Sequence, residues 1–331
     1  MKVGTAAADP GERATGRLPV TDLPVGGEEA LPVSVFNGVD PGPVVWVTGT
    51  IHGDEPTGMA ATHDLAERVD VADLAGGVVC LPVMNPAGLR TNARTSYYHD
   101  DDPNRYFGRG DGDAESPPRT QQVICERIYD AVRETADALV SLHTSWVATH
   151  PYTIQPRVPY GEDRSVSDAA VLRDRLAELT AAFGMPVVNQ FPPGETAARD
   201  LQHSLTGAAV ADGIPAFTPE LGGRLVVERD VAEAAADGVW NVLHALEMVE
   251  RPADRHPEFD LGADGPLRRF DGPHTDVAGI VRYLASEGEF VEAGDVVARI
   301  VDPHGGLKTE VAAERDGYVL SRRERAAVYE N

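Results

Sequence analysis

Short apolar runs alternate with segments of helical periodicity along most of the chain. Val44–Thr48, Gly77–Val83 and Ala138–His143 are apolar runs of strand length, whereas Thr57–Arg68 and Arg119–Thr135 have the period of amphipathic helices. Strands and helices that alternate in this way predict an α/β fold built in layers. Further predicted elements are the helices Ser167–Phe183 and Val231–Val249, a helix within Gly194–Asp212, and the strand Ile214–Thr218.

Polar side chains stand at the ends of these predicted strands. His52 follows the first strand in TGTIHGDEPTG, His143 ends the third in LVSLHTSW, and Glu220 follows a later strand in AFTPELGG. Open α/β sheets bind their ligands at the carboxyl ends of the strands. We therefore expect these residues to share one site.

His52, Glu55 and His143 form the best set of metal ligands in the sequence. Catalytic zinc typically takes three protein ligands from His and carboxylate side chains and keeps its fourth position for water. Two neutral imidazoles and one carboxylate leave the ion net positive, so that it can activate water near neutral pH. We predict one Zn²⁺ per chain at these residues.

Four further residues suit the hydrolysis of an amide. Glu220 is not a predicted ligand and can act as the general base that takes a proton from water and returns it to the leaving amine. Arg94 can stabilise the oxyanion, because a guanidinium stays charged and has fixed donors. Asn104 and Arg105 suit a carboxylate, which Arg can bind through two parallel hydrogen bonds. The substrate is therefore predicted to be acidic.

These residues, in this order, resemble the succinylglutamate desuccinylase/aspartoacylase family, which belongs to the wider zinc-carboxypeptidase-like group. The resemblance extends roughly over residues 44–224. Arg94 stands ten residues before Asn104, where many members have the Arg that contacts the carbonyl oxygen. The other matching residues are the zinc ligands His52, Glu55 and His143, the general base Glu220, and Asn104 with Arg105 of the Asp-Leu-Asn-Arg motif.

The resemblance implies a fold and an activity. The expected fold is a three-layer α/β/α catalytic domain with a mixed sheet, followed by a small all-β barrel-like domain. The expected enzyme is a zinc-dependent amidohydrolase, or deacylase, that uses zinc-activated water on an N-acyl amino acid or a similar carboxylated amide. Two alternatives remain open, a metallocarboxypeptidase acting on peptide C-termini and a non-catalytic metal-binding or regulatory homologue.

Two departures from the family pattern affect the surroundings of the site. The family commonly has Asp-Leu-His at the third ligand, but Ser141 stands where the Asp is usual. The carboxylate motif reads Asp-Pro-Asn-Arg from Asp102, and Tyr-Phe-Gly follows in place of Phe-Pro-Gly. We therefore expect a different support of the third ligand and a different path of this loop.

Each site residue also has a simpler interpretation. Glu55 could be an ordinary acid at a helix N-terminus, since Pro56 suits the first helical position. His143 could be a hydrogen-bonded core histidine, Glu220 a loop acid, and Asn104 with Arg105 a surface turn. Only the combination favours the functional interpretation. His99 with Asp100, Asp101 and Asp102 also resembles a metal cluster, but it is interpreted as a solvated loop, because consecutive side chains cannot all face one ion.

The chain is predicted to contain an N-terminal extension at 1–27, a catalytic domain at 28–250, a linker at 251–265 and a small β domain at 266–331. Short strand-like runs separated by glycines make the last of these all-β. A cofactor carried on Lys308 is disfavoured, because the neighbours expected at a modified hairpin lysine are missing. We expect this domain to cap the active site or to contact another subunit of a possible homo-oligomer.

The charge and the cysteine content of the chain predict which partners it binds and in which cellular compartment it lies. The chain has 53 acidic against 29 basic residues, a formal net charge of −24 and two lysines, so nucleic acid is an improbable partner. This surface suggests a halophilic protein, although a high-GC genome also replaces Lys by Arg. Two cysteines form no disulfide framework, and without a membrane span or signal peptide the protein is predicted to be cytoplasmic. Candidates for substrate specificity are Tyr152, Arg157, Tyr160 and Arg224.

Overall fold

The computed structural model describes residues 1–108, 119–161, 164–323 and 326–330. The strands are β1 (Lys2–Val3), β2 (Ala6–Ala7), β3 (Glu12–Asp22), β4 (Glu28–Asn37), β5 (Asp40–Gly49), β6 (Ala75–Leu81), β7 (Ala138–Leu142), β8 (Ala148–Thr149), β9 (Tyr152–Gln155), β10 (Val187–Asn189), β11 (Ala216–Glu220), β12 (Leu267–Arg268), β13 (Gly279–Tyr283), β14 (Phe290–Val291), β15 (Val296–Val301), β16 (Leu307–Ala312), β17 (Gly317–Tyr318), β18 (Ser321–Arg322) and β19 (Ala327–Val328). The helices are α1 (Pro56–Arg68), α2 (Pro86–Thr91), α3 (Thr120–Thr135), α4 (Val166–Phe183), α5 (Pro193–Ala198), α6 (Leu205–Ala211) and α7 (Arg229–Ala245).

Nine strands form one mixed sheet, in the order β12-β10-β9-β11-β7-β5-β6-β4-β3. The central strand β5 is parallel to both β6 and β7, and β7 is parallel to β11. The outer pairs β3–β4 and β9–β11 are antiparallel. The predicted α/β class with a mixed sheet is confirmed. The carboxyl ends of β5, β7 and β11 lie side by side, which is where the predicted site residues follow.

The central strands are apolar because both faces of the sheet are covered. All five residues of β7 are buried, and Trp46 in β5 has no exposed surface. The indole nitrogen of Trp46 donates a hydrogen bond of 2.9 Å to Thr135 at the end of α3. Helix α7 packs against α1 and α4. Gly238 in α7 is required there, because a Cβ would lie 2.7 Å from the backbone oxygen of Phe183 in α4.

The N-terminal segment contributes an edge strand to the large sheet. β3 pairs with β4 over almost its whole length and forms one edge of the large sheet. At the other edge, Leu267 and Arg268 of β12 pair in parallel with β10. The strand β12 therefore belongs to the large sheet, although its residues stand at the start of the predicted small β domain.

The last part of the chain forms small antiparallel sheets. β13, β15, β16 and β19 make one sheet of four strands, and β14 pairs with β17. β18 pairs with β8, which lies shortly after His143. A small β unit is thus present, while its closure into a barrel, the three-layer arrangement and the domain limits stay predictions. Within the described ranges, no helix is long and apolar enough to span a bilayer.

Candidate active site

The loop after β5 carries His52 and Glu55. It turns sharply at Thr50, which has a φ of 53°, and then runs close to α2. A Cβ at Gly53 would lie 1.9 Å from a backbone carbon of Gly88 in α2, so only glycine permits this approach. Glu55 is the last residue before α1, which begins at Pro56. The side chain of Glu55 makes no capping hydrogen bond, which disfavours its interpretation as a helix-terminal acid.

His143 follows β7 directly and faces the Glu55 carboxylate. The Nδ1 atoms of His52 and His143 lie 2.7 Å and 3.1 Å from the two oxygens of Glu55. All three side chains are buried, and their ligand atoms lie within 4.8 Å of one another. The parallel pairing of β5 with β7 brings Glu55 and His143 together, although they are more than 80 residues apart in the sequence. The structure thus assembles the predicted ligand set.

The charged side chains of this cluster shift one another's pKa values. Burial acts to lower the pKa of His52, but the negative charge of Glu55 and hydrogen bonds to Glu55 and Asp102 raise it to about 9. Burial raises the pKa of Glu55, but the charges of His52 and His143 outweigh this effect and hold it well below its usual range. A carboxylate surrounded by two imidazole nitrogens is a donor set that suits Zn²⁺. The residues present therefore fit the predicted ion.

Asp102 is a residue that the sequence interpretation missed. Its Oδ1 lies 3.0 Å from Nε2 of His52 and accepts a hydrogen bond of 2.9 Å from the backbone nitrogen of Asn104. Its Oδ2 accepts a hydrogen bond of 3.0 Å from Arg94. The prediction of a solvated loop is wrong for Asp102, because the loop turns this one carboxylate inward. Its place in the Asp-Pro-Asn-Arg motif, two residues before Asn104, was the available signal.

Arg94 lies beside the predicted ligand Glu55, and its role at an oxyanion stays a prediction. Its Nη1 donates to Glu55 over 3.4 Å, and its other terminal nitrogen is held by Asp102. Burial acts to lower the pKa of Arg94, but Asp102 and Glu55 raise it, so the guanidinium stays charged. The side chain is 40% exposed, which leaves it accessible from solvent.

Asn104 and Arg105 stand on the same loop. The oxygen of the Asn104 amide accepts a hydrogen bond of 2.9 Å from the backbone nitrogen of Leu205, the first residue of α6. This contact fixes the orientation of the amide, because a backbone N–H can only donate. Arg105 donates from Nε to the backbone oxygen of Arg199 and from Nη1 to that of Asn104. Its Nη2 lies 3.6 Å from Asp102. Carboxylate binding by the pair stays a prediction.

Glu220 ends β11 and stands next to His143, the third predicted ligand. The residue forms a parallel bridge with His143 and pairs across the sheet with Tyr152 of β9. Among the described residues, none donates a hydrogen bond to its buried Oε2 atom. Burial raises the pKa of the Glu220 carboxyl, His143 opposes this rise, and the charge of Glu55 adds to it. A buried carboxylate oxygen has the chemistry of a proton acceptor, and the role of Glu220 as general base stays a prediction.

Ser141, which departs from the family pattern, is part of the buried sheet. Its hydroxyl accepts a hydrogen bond of 3.2 Å from Thr48 in β5.

The residues predicted to set substrate specificity differ in their exposure and contacts. Tyr152 is buried, Tyr160 is 71% exposed, and Arg157 donates to the backbone oxygens of residues 190 and 191. Arg224 is paired with Asp54 at 3.0 Å and lies over Trp146.

Known proteins resemble this chain in sequence and in fold. A curated relative, the N-alpha-acetyl-L-2,4-diaminobutyric acid deacetylase of Halomonas elongata, is 27% identical over 318 residues, which is 94% of this chain and 86% of the relative. The crystal structure of a succinylglutamate desuccinylase/aspartoacylase from Rhodobacter sphaeroides has 25% identity and a TM-score of 0.77, covering 96% of this chain and 93% of its own.

A second solved structure shares the fold over nearly the whole chain. The product-bound ectoine utilization protein EutE (DoeB) from Ruegeria pomeroyi has 22% identity and a TM-score of 0.80, covering 98% of this chain and 95% of its own. Residues 41–246 match the family described as the succinylglutamate desuccinylase/aspartoacylase catalytic domain, and this range includes the whole site from His52 to Glu220. The family prediction is therefore confirmed, and the chain belongs to the succinylglutamate desuccinylase/aspartoacylase family.

Proposed function

We propose that the protein is a zinc-dependent amidohydrolase that removes the acyl group from an N-acyl amino acid or a similar carboxylated amide. The observation that carries this proposal is the convergence of His52, Glu55 and His143 beside Glu220, whose buried oxygen has no protein donor among the described residues. Ligand atoms and a separate carboxylate in one pocket are the requirements of metal-assisted hydrolysis.

His52, Glu55 and His143 would hold the ion. When bound, Zn²⁺ supplies a Lewis acid that polarises the amide carbonyl and lowers the pKa of water. Asp102 would keep the His52 ring in the orientation that binding requires, through its contact with Nε2.

Glu220 takes a proton from the attacking water and passes it to the nitrogen of the leaving amine. The water oxygen forms a bond to the carbonyl carbon and the C–N bond breaks, so that the products are a carboxylic acid and an amino acid. Arg94 donates to the negative charge that develops on the carbonyl oxygen. Asn104 and Arg105 bind the carboxylate of the amino acid and fix the amide in place.

The relatives support the same class of reaction. The Halomonas elongata relative is named as a deacetylase of an N-acetylated amino acid, and the Rhodobacter sphaeroides structure carries the family name. Both names describe the cleavage of an acyl group from an amino acid. This supports a small-molecule substrate for the present protein.

Metal content and turnover test the proposal together. The full chain is purified in high salt, and zinc is measured by elemental analysis in wild type, His143→Ala and Glu220→Gln. We expect about one zinc in wild type and in Glu220→Gln, and loss of zinc in His143→Ala. Amino-acid release from N-acetyl amino acids should fall about 10²- to 10⁴-fold in Glu220→Gln.

Two outcomes contradict the proposal. Wild-type protein without bound metal would contradict the metal-dependent mechanism. A Glu220→Gln protein as active as wild type would disprove the role of Glu220 as general base. A third measurement addresses the closest alternative. Faster release of amino acids from peptide C-termini than from N-acetyl amino acids would identify a carboxypeptidase.

A further inference from the structure

The start of β4 extends along the edge of the sheet that carries the candidate active site. β4 runs antiparallel to β6, and its pairing with that strand begins at Ser34, opposite Cys80 near the end of β6. The residues of β4 before Ser34 pair with β3. They therefore lie at the carboxyl ends of the parallel strands, where the predicted site residues also stand.

Glu29 is a buried acid on the face of β4 that packs into the core. Alternate residues of this strand are buried, and those that share the face of Glu29 are Leu31, Val33 and Val35. A carboxylate on such an apolar face is unfavourable unless other groups bind it. The partners of Glu29 therefore indicate why an acid stands at this position.

Tyr98 and Arg90 bind the two oxygens of Glu29. The hydroxyl of Tyr98 donates a hydrogen bond of 2.6 Å to Oε2, and Nη2 of Arg90 lies 3.5 Å from Oε1. Burial and the hydrogen bond to Glu29 raise the pKa of Tyr98 well above its usual range, so the phenol remains a donor. The carboxylate thus joins β4 to α2, which contains Arg90, and to the loop that follows this helix.

Tyr98 lies in the middle of the loop formed by residues 94–102. It stands four residues after Arg94 and four before Asp102, the two loop residues that contact the predicted ligands. The backbone nitrogens of Tyr98 and His99 donate hydrogen bonds of 3.1 Å to the hydroxyl and the backbone oxygen of Ser96. Because this tight turn limits the freedom of the loop, the contact with Glu29 restrains both of its ends.

We propose that the hydrogen bond between Glu29 and Tyr98 positions the loop 94–102 for catalysis. Arg94 acts on charge that develops only in the transition state, so loss of this hydrogen bond should lower kcat more than it changes KM. Glu29 and Tyr98 are then positioning residues that act through Arg94. This inference rests on the proposed function.

The test compares variants of both residues in the zinc-loaded full chain. Tyr98→Phe removes the hydroxyl and keeps the ring beside that of Tyr97. Glu29→Leu removes the carboxylate and leaves a side chain that suits the apolar face of β4, whereas Glu29→Gln keeps an acceptor for Tyr98. Glu28→Gln is the matched control, because Glu28 is the exposed neighbouring acid.

Kinetics are measured with the N-acetyl amino acid that wild type hydrolyses fastest. We expect kcat to fall about 10- to 100-fold in Tyr98→Phe and Glu29→Leu, with KM changed less than about threefold. Glu29→Gln should lose less, and Glu28→Gln should match wild type. The double variant Glu29→Leu/Tyr98→Phe should lose no more than either single variant, because both remove the same contact.

Thermal unfolding distinguishes positioning from a structural role. An apolar residue in place of a buried paired charge is often neutral or stabilising, so the thermal midpoint of Glu29→Leu should equal or exceed that of wild type while its kcat is lower. A Tyr98→Phe protein with the kcat of wild type would overturn the proposal. A fall in kcat of Glu29→Leu that accompanies a fall in its thermal midpoint would also overturn it, in favour of a structural role.

Hydrogen exchange separates this inference from the proposed function. Mass spectrometry follows the peptides that contain residues 94–102, whose backbone amides should exchange faster in Tyr98→Phe than in wild type and Glu28→Gln. If wild type hydrolyses no N-acyl amino acid, the hydrolase proposal fails, but faster exchange still supports the restraint of this loop by Glu29. Unchanged exchange in Tyr98→Phe overturns the inference.

Discussion

The Nε2 atom of His52 lies 3.0 Å from Oδ1 of Asp102, a residue 50 positions further along the chain. The opposite nitrogen of the same ring faces Glu55, so the imidazole is held from both sides. Arg94 is bound to the second oxygen of Asp102. One carboxylate thus orients a predicted metal ligand and a predicted oxyanion donor at the same time.

Replacement of this carboxylate should weaken metal binding. Asp102→Asn keeps the size of the side chain but removes the charge that holds His52 and Arg94, and loss of such a partner typically costs about 10- to 100-fold in metal affinity or activity. The dissociation constant for Zn²⁺ is measured by competition with a chelator. Asp101→Asn is the control, because the exposed Asp101 binds Tyr106 and Arg119. Unchanged zinc affinity in Asp102→Asn would disprove this role.

The ion pair between Asp54 and Arg224 should stabilise the loops that carry the site. Asp54 precedes the predicted ligand Glu55, and Arg224 stands four residues after Glu220. The exposed fractions of the Asp54 and Arg224 side chains are 5% and 13%. Arg224→Met leaves a buried carboxylate without this partner, and we expect a loss of about 3–5 kcal/mol in the free energy of unfolding. This loss in the free energy of unfolding is measured by urea unfolding at saturating Zn²⁺. The double variant Asp54→Asn/Arg224→Met should lose less than Arg224→Met alone, and a larger loss would contradict the prediction.

The pairing of His256 with Asp237 should make stability depend on pH. Burial acts to lower the pKa of His256, but hydrogen bonds to Asp237 and Glu258 raise it above 6.5. Because the folded-state pKa is the higher one, the contribution is complete below about pH 6.5 and disappears as the pH rises through the raised value. Wild type should therefore exceed His256→Gln in free energy of unfolding at pH 5.5, and the difference should shrink by pH 9. If the free energies of unfolding of wild type and His256→Gln differ by the same amount at both pH values, the predicted pH dependence is wrong.

Salt should stabilise the protein if the acidic surface is an adaptation to high salt. With a formal net charge of −24, like charges repel over a screening length of about 10 Å at 0.1 M salt, which falls to about 3 Å at 1 M. We expect the thermal midpoint to rise steadily between 0.1 and 2 M KCl, and less in sucrose of equal viscosity. A midpoint that does not respond to KCl would favour the genomic explanation of the low lysine content.

The strands and helices that surround the site could be predicted because their signals are local. Ala138–His143 is apolar throughout because β7 is covered on both faces, and Thr57–Arg68 has the period of α1 with proline at its start. The predicted ends are less accurate. Helix α7 ends at Ala245, four residues before the predicted end at Val249.

The sequence by itself determined the α/β class, the family and the candidates His52, Glu55, His143 and Glu220, because residue types at strand ends limit the chemistry available there. Only the tertiary structure showed that Asp102 turns inward and that β12 joins the edge of the large sheet. These contacts depend on the path of a loop and on the pairing of an edge strand. Neither leaves a periodic signal in the sequence, because each joins residues that are far apart along the chain.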